Sequence, residues 1–269
     1  RERRRKLFSL CTKTLQDKKF FILGWLLGLA FLGFVMTSFF TSFSGGEIDE
    51  LLNTLPPALQ GLVGDLQDWK NLPGYIGSQV FDIRLPIFIS ILSILLAVGL
   101  TVGEEDKGQL RTLIALPISR RGIIFAKWFA IVVICLIASI ATVAGVVIGI
   151  PTTGQTLDPM VLVRLGLFTW LLVTSLATLI FAIGLATGNR AATIGIGIVI
   201  AIGSFLLTTF ATAVSWLKDF EWLSFLHYFP ATDVAKGEMN WGNVVFYLAL
   251  IIVSLVVAFL FFPRRDVKS

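Results

Sequence analysis

The chain has 269 residues, 56% of them hydrophobic and 14% charged, with a mean hydropathy of +0.86, a net charge of +5 and a pI of about 9.4. These proportions exclude a water-soluble globular domain and describe an integral membrane protein. Two cysteines, Cys11 and Cys135, and a single histidine, His227, supply neither a disulfide framework nor a His-cluster metal site.

A hydrocarbon layer of about 30 Å takes about 20 mostly apolar residues per helical crossing. Six segments are long and apolar enough, near 20–43, 85–102, 124–150, 161–186, 192–216 and 243–262. Ahead of the first, residues 1–19 place Leu7, Phe8, Cys11 and Leu15 at helical spacing, with Lys6, Lys13 and Lys18 on other faces. That pattern predicts a basic amphipathic helix in the headgroup layer. The first apolar run is too long for a cleavable signal peptide and lacks a small-residue cleavage site, so it reads as a span. Residues 44–84 then carry two apolar stripes on either side of Pro56-Pro57: Ile48, Leu51, Leu52 and Leu55, followed by Leu59, Leu62, Val63, Leu66 and Trp69. Two short loop helices with a corner between them are expected, their wet faces filled by Glu47, Asp49, Glu50, Asp65 and Asp68.

After the second span comes the most hydrophilic interruption of the apolar sequence, an elbow over residues 103–123. Glu104, Glu105 and Asp106 open a helix with acids in its first turn, where the positive end of the helix dipole favours them. Leu110, Leu113, Ile114 and Leu116 make an apolar stripe with Arg111 beside it. Pro117 drives the residue before it out of the α region and ends that helix. Ser119 is placed to cap the next one, which carries Arg120, Arg121 and Lys127 into the third span. A charged loop is ordinary in a membrane protein; an ordered leucine stripe followed by Pro-Ile-Ser-Arg is a shape suited to docking a soluble partner.

The spans carry small residues four apart: Gly24 and Gly28; Ala141, Gly145 and Gly149; Gly184 and Gly188; Gly197 and Ala201. Missing side chains let helix backbones approach closely within the bundle or between two bundles. No ionisable residue falls inside any of the six segments, since Arg84, Lys127 and Arg164 sit at their ends. Ion- and proton-coupled carriers use a buried charge, so a pump of this composition takes its energy from outside the membrane. The scattered hydroxyls Ser90, Ser93, Thr101, Ser204, Thr208 and Thr209 suit an amphiphilic cargo better than a bare ion, although threonine in lipid also bonds back onto its own helix. The loop at 217–242, with Phe220, Trp222, Phe225, Tyr228, Phe229 and Trp241, reads as an aromatic belt at an interface, with His227 a hydrogen-bonder among the rings.

Orientation follows from the basic residues. Six crossings put both termini on one side, together with every Lys and Arg through Lys19, those from Lys107 to Lys127, Arg190, and the tail at 263–269. The other face holds only Lys70, Arg84, Arg164, Lys218 and Lys236. The termini are therefore expected in the cytoplasm. Topology accounts for the basic excess, and no nucleic-acid partner is needed.

Glu104, Gly108, Leu110, Leu113, Leu116 and Pro117-Ile118-Ser119-Arg120, followed by Lys127, resemble the E, G, L, L, P-[IV]-S-R, K pattern of ABC-2 type permeases, the membrane subunits of many ATP-binding-cassette exporters. The six-span order matches over nearly the whole chain. Gln109-Leu110-Arg111 stands where many members have Thr-Leu-Glu, so a contact made by that Glu is not carried over. The resemblance implies an all-α, type V exporter-like fold in a prokaryotic cytoplasmic membrane. It implies two permease halves, the second a copy or a paralogue, with the first and fifth spans near the dimer contact and the second and fifth lining the path. No G-x-x-x-x-G-K-[ST] phosphate loop occurs, so the chain is not an ATPase and binds no cofactor itself; ATP and Mg belong to a separate nucleotide-binding subunit. That subunit is expected to dock under Glu104, Glu105, Gly108, Leu110, Arg111, Leu113, Leu116, Pro117, Ser119, Arg120 and Arg121, with Arg190 as a smaller contact. The region around Phe225, Tyr228, Phe229 and Pro230 is implied to re-enter the membrane as an external gate. Drug, antibiotic, peptide or lipid export, cofactor maturation and ion extrusion all fit this family, hydrophobic cargo best. A self-powered carrier would need a buried charge, and a membrane enzyme a catalytic cluster that these residues do not supply.

Overall fold

The computed structural model describes residues 2–43, 66–108, 119–211 and 214–264, and these are almost wholly helical, with no strand among them. Helix α1 (Glu2–Asp17) turns at Lys18 into α2 (Lys19–Ser38). Helix α3 (Leu85–Leu100) continues a run that starts at Leu72 and passes through nine π-helical residues, Ile76–Arg84. Then follow α4 (Arg120–Thr153), α5 (Pro159–Thr187), α6 (Arg190–Phe210), the short α7 (Ala231–Lys236) and α8 (Trp241–Phe261). Six stretches are long and apolar enough to cross a membrane: Lys19–Ser42, Leu72–Asp106, Arg120–Thr153, Pro159–Thr187, Arg190–Phe210 and Trp241–Phe261. All six expected spans are present. The second begins at Leu72, well before the expected 85, because Asn71 caps a new helix there by accepting from the Gly74 N–H at 2.8 Å. The fifth stops at Phe210, short of the expected 216, and Ser215–Lys218 is a separate turn.

The second and fourth spans form the centre, with 67% of each apolar window buried against 17% for the first and 22% for the fifth and sixth. The outer spans therefore keep broad apolar faces for lipid or another chain. Glycine sets how closely α2 and α4 meet. A Cβ on Gly145 would overlap the Ala30 carbonyl, and one on Gly149 would lie 2.8 Å from Thr37 Cβ. Gly24 and Gly28, by contrast, face open space. Helix α1 packs along α4 and buries Leu10, Cys11 and Thr14, so its apolar edge is spent on protein and not only on lipid. That burial pushes the Cys11 thiol up from its ordinary value.

Candidate functional site

The termini-side end of the bundle is organised around a break in the second span. Thr101 leaves helical geometry at φ −118° and ψ −100°, and its N–H reaches back only to the Val98 carbonyl. A fresh turn, Val102–Asp106, begins at once, and the Glu104 N–H bonds the Thr101 carbonyl. In an unbroken helix that N–H would serve Leu100, whose carbonyl is thus left over. Lys127 of α4 fills the vacancy: its Nζ donates to the Leu100 carbonyl at 2.9 Å and to Glu104 Oε2 at 2.6 Å. Lys127 is 1% exposed. A lone buried ammonium costs several kcal/mol, and only close pairing with remaining donors satisfied makes it tolerable. Gly184 of α5 completes the joint, because any side chain there would meet Thr101 Oγ1, itself bonded to the Ala97 carbonyl at 2.7 Å.

Around this joint the expected coupling residues fall into three groups. Glu104 points inward to Lys127, and Glu105 is buried. Gly108 ends the turn in the left-handed region at φ 71°, which favours glycine. Leu110, Arg111, Leu113, Leu116 and Pro117 lie outside the described residues. On the far side of the elbow, Ser119 caps α4 as expected, accepting from the Gly122 N–H at 3.2 Å. Arg120 donates to the Pro263 carbonyl at 3.2 Å, tying the elbow to the end of the sixth span. Arg121 is exposed, and Arg190 reaches Asp106 at 3.7 Å. Ends of the second, third, fifth and sixth spans are thereby linked across one small region.

The opposite end is open. A cavity of about 1020 Å³ lies between the π-helical segment, the end of α6, the start of α8 and α7. Asp82, Glu221, Asp233 and Glu238 line it with Phe81, Phe229 and Trp241, and no lysine or arginine is among the lining residues. Asp82 holds α7 in place: it accepts from the Ala231 N–H at 2.7 Å, the Thr232 N–H at 3.1 Å and the Thr232 hydroxyl at 2.6 Å. At the other end of α7, Lys236 pairs with Asp68 at 2.6 Å. Gly77 lets this small helix approach, since a Cβ there would lie 2.7 Å from Thr232 Cα.

Of the six hydroxyls expected along a path, only Thr208 and Thr209 line this cavity. Ser90, Ser93, Thr101 and Ser204 are buried within the chain. Ser93 donates to the Val173 carbonyl at 3.4 Å, and Ser204 Oγ accepts from the Phe225 N–H at 3.3 Å, so these groups join elements of one chain. The aromatic loop divides in two. Trp216, Phe220, Trp222 and Trp241 are exposed in the manner of a belt, whereas Phe225 and Phe229 are buried. Phe229 stacks on Phe168 at 5.9 Å, Tyr228 on Phe246 at 3.6 Å, and the Phe225 carbonyl accepts from Tyr247 at 2.8 Å. Phe229 and Pro230 also line the cavity. His227 Nδ1 sits 3.2 Å from Glu221.

A family model described as ABC-2 family transporter protein matches residues 13–267. The chain belongs to the ABC-2 family. No curated protein matches it. It is thus the membrane component of a transporter, and family membership implies an ATP-binding-cassette ATPase as its partner. The roles of two residues of this ABC-2 permease escaped the sequence, and both overturn the expectation that no ionisable residue lies inside a span: Asp82 falls within Leu72–Asp106 and the buried Lys127 within Arg120–Thr153. Lys127 reads as an end-of-span lysine, yet it lies three and four residues from Ile123, Ile124, Ala130 and Ile131, all buried, while Phe125 and Phe129 face outward. Helical phase was the available signal. Asp82 had none, because its partners are about 150 positions away.

Proposed function

We propose that the chain is one permease half of an ATP-driven exporter in a prokaryotic cytoplasmic membrane, with termini and elbow in the cytoplasm. Nucleotide and Mg belong to a separate ATPase subunit that presses on residues 103–121. The observation that carries this reading is the Lys127–Glu104–Leu100 joint, which fastens both arms of the elbow to each other just inside the bundle. A push on the elbow then moves the second and third spans together, since bending at Thr101 would strip a buried ammonium of its partners. Arg190–Asp106 and Arg120–Pro263 extend the same linkage to the fifth and sixth spans.

A second permease copy or paralogue covers the outer faces of α2 and α6, where Gly24, Gly28, Gly195 and Gly203 have nothing packed on them. The cargo is hydrophobic or amphiphilic and leaves through the cavity beneath α7, whose hold by Asp82 and Asp68 makes it the gate. In membranes containing the chain and its ATPase, Leu113→Asp or Leu116→Asp should abolish transport with insertion intact. Substrate-stimulated ATP hydrolysis that persists unchanged in these variants would sink the docking role of the elbow.

A further inference from the structure

Beside the Lys127 joint, on its outer side, lies a second and smaller space of about 220 Å³, lined by Lys18, Leu95, Val98, Gly99, Gly103, Glu104, Lys107 and Arg190. Its three cations come from three places: the turn between α1 and α2, the turn after Val102–Asp106, and the first residue of α6. Its one carboxylate, Glu104, is already engaged from behind by Lys127. Asp106 meets Arg190 only at 3.7 Å, with both side chains at least half exposed. Among the described residues neither Lys18 nor Lys107 has an ion-pair partner. Lys18 Nζ lies over the floor of the crevice, 3.1 Å from where a Cβ on Gly99 would be. Three cations converging on a glycine-floored space are an anion site: like charges held together repel unless something negative sits between them.

The surroundings choose among anions. Lys18, Lys107 and Arg190 all stand at ends of membrane-spanning helices, the depth of the headgroup phosphates. Leading away from the crevice along α3, the row Ile87, Ile91 and Leu95 runs at four-residue spacing into Gly99, and all three apolar members are exposed. Four-residue spacing keeps them on one face of the helix. A free phosphate needs no such ridge, whereas an acyl chain does. We infer that this crevice binds the phosphate of an anionic lipid, with the acyl chain laid along Ile87, Ile91 and Leu95. Glu104 lines the crevice and pairs behind it with Lys127, so a lipid seated here touches the joint that links the elbow to the spans.

The test needs no ATPase and no transported substrate, so it is read separately from the proposed exporter role. The purified full chain is offered phosphatidylglycerol, phosphatidylcholine or inorganic phosphate, and retained ligand is counted by native mass spectrometry. Phosphatidylglycerol should be retained about tenfold better than phosphatidylcholine, the size expected for two or so surplus charges in a partly wet site. The preference should disappear in Lys18→Ala/Lys107→Ala/Arg190→Ala and persist in Arg121→Ala, which removes an exposed cation outside the crevice. Ile87→Ser/Ile91→Ser, which interrupts the ridge outside the crevice and adds no charge, should weaken the lipid alone. A triple variant that still prefers phosphatidylglycerol overturns the site. Millimolar inorganic phosphate that displaces the lipid fully, with Ile87→Ser/Ile91→Ser silent, overturns the lipid in favour of a free anion.

Discussion

Asp82 and Glu104 sit near opposite ends of one helical run, Leu72–Asp106, and both carboxylates are tied to another part of the chain. Their partners differ in kind. Asp82 takes two backbone N–H groups and a hydroxyl from a six-residue helix beside a large cavity. Glu104 takes a buried ammonium from a neighbouring span. Neutral donors that let go of Asp82 can turn to water in the cavity, so that contact can open and close. An ammonium that loses Glu104 stays in the protein interior without a counter-charge, so that contact resists opening. The same side-chain chemistry thus makes a latch where neutral donors hold it beside a large cavity and a weld where a buried ammonium holds it.

Breaking the weld should have the largest effect. Glu104→Ala strands Lys127 with only the Leu100 carbonyl and should cost about 3 kcal/mol, read as a lower unfolding midpoint in detergent. Opening the latch should cost less and act locally. Asp82→Ala removes three donors' acceptor and should lower stability by about 2 kcal/mol. Its sharper signature is amide exchange: protection should fall over residues 231–236 and hold at 102–106. Equal loss at both places would erase the distinction between the two ends. The weakest change is Arg190→Ala, whose pair with Asp106 is long and exposed; stability should move by less than about 1 kcal/mol. A larger destabilisation would make that arginine part of the weld.

Much of this architecture was legible in the residues. Hydropathy placed six crossings, and Ser119 stood where a cap was needed because short hydroxyl side chains satisfy the free N–H groups of a first turn. Spacing also found Gly145 and Gly149, though not that their partner is α2. The expected path hydroxyls show the limit: Ser93 and Ser204 are polar residues in an apolar run whichever way they point, and their hydrogen bonds to Val173 and Phe225 depend on which helices lie beside them.

What the sequence determined by itself is the all-helical class and the set of six crossings, since these follow from local transfer energies that hold for a helix in isolation. Only the tertiary structure decided which charges are buried and what each one does. Lys127 and Asp82 acquire their roles from a broken helix end and a distant short helix, and hydrogen-bonding demand of that kind exists only once the spans are packed together.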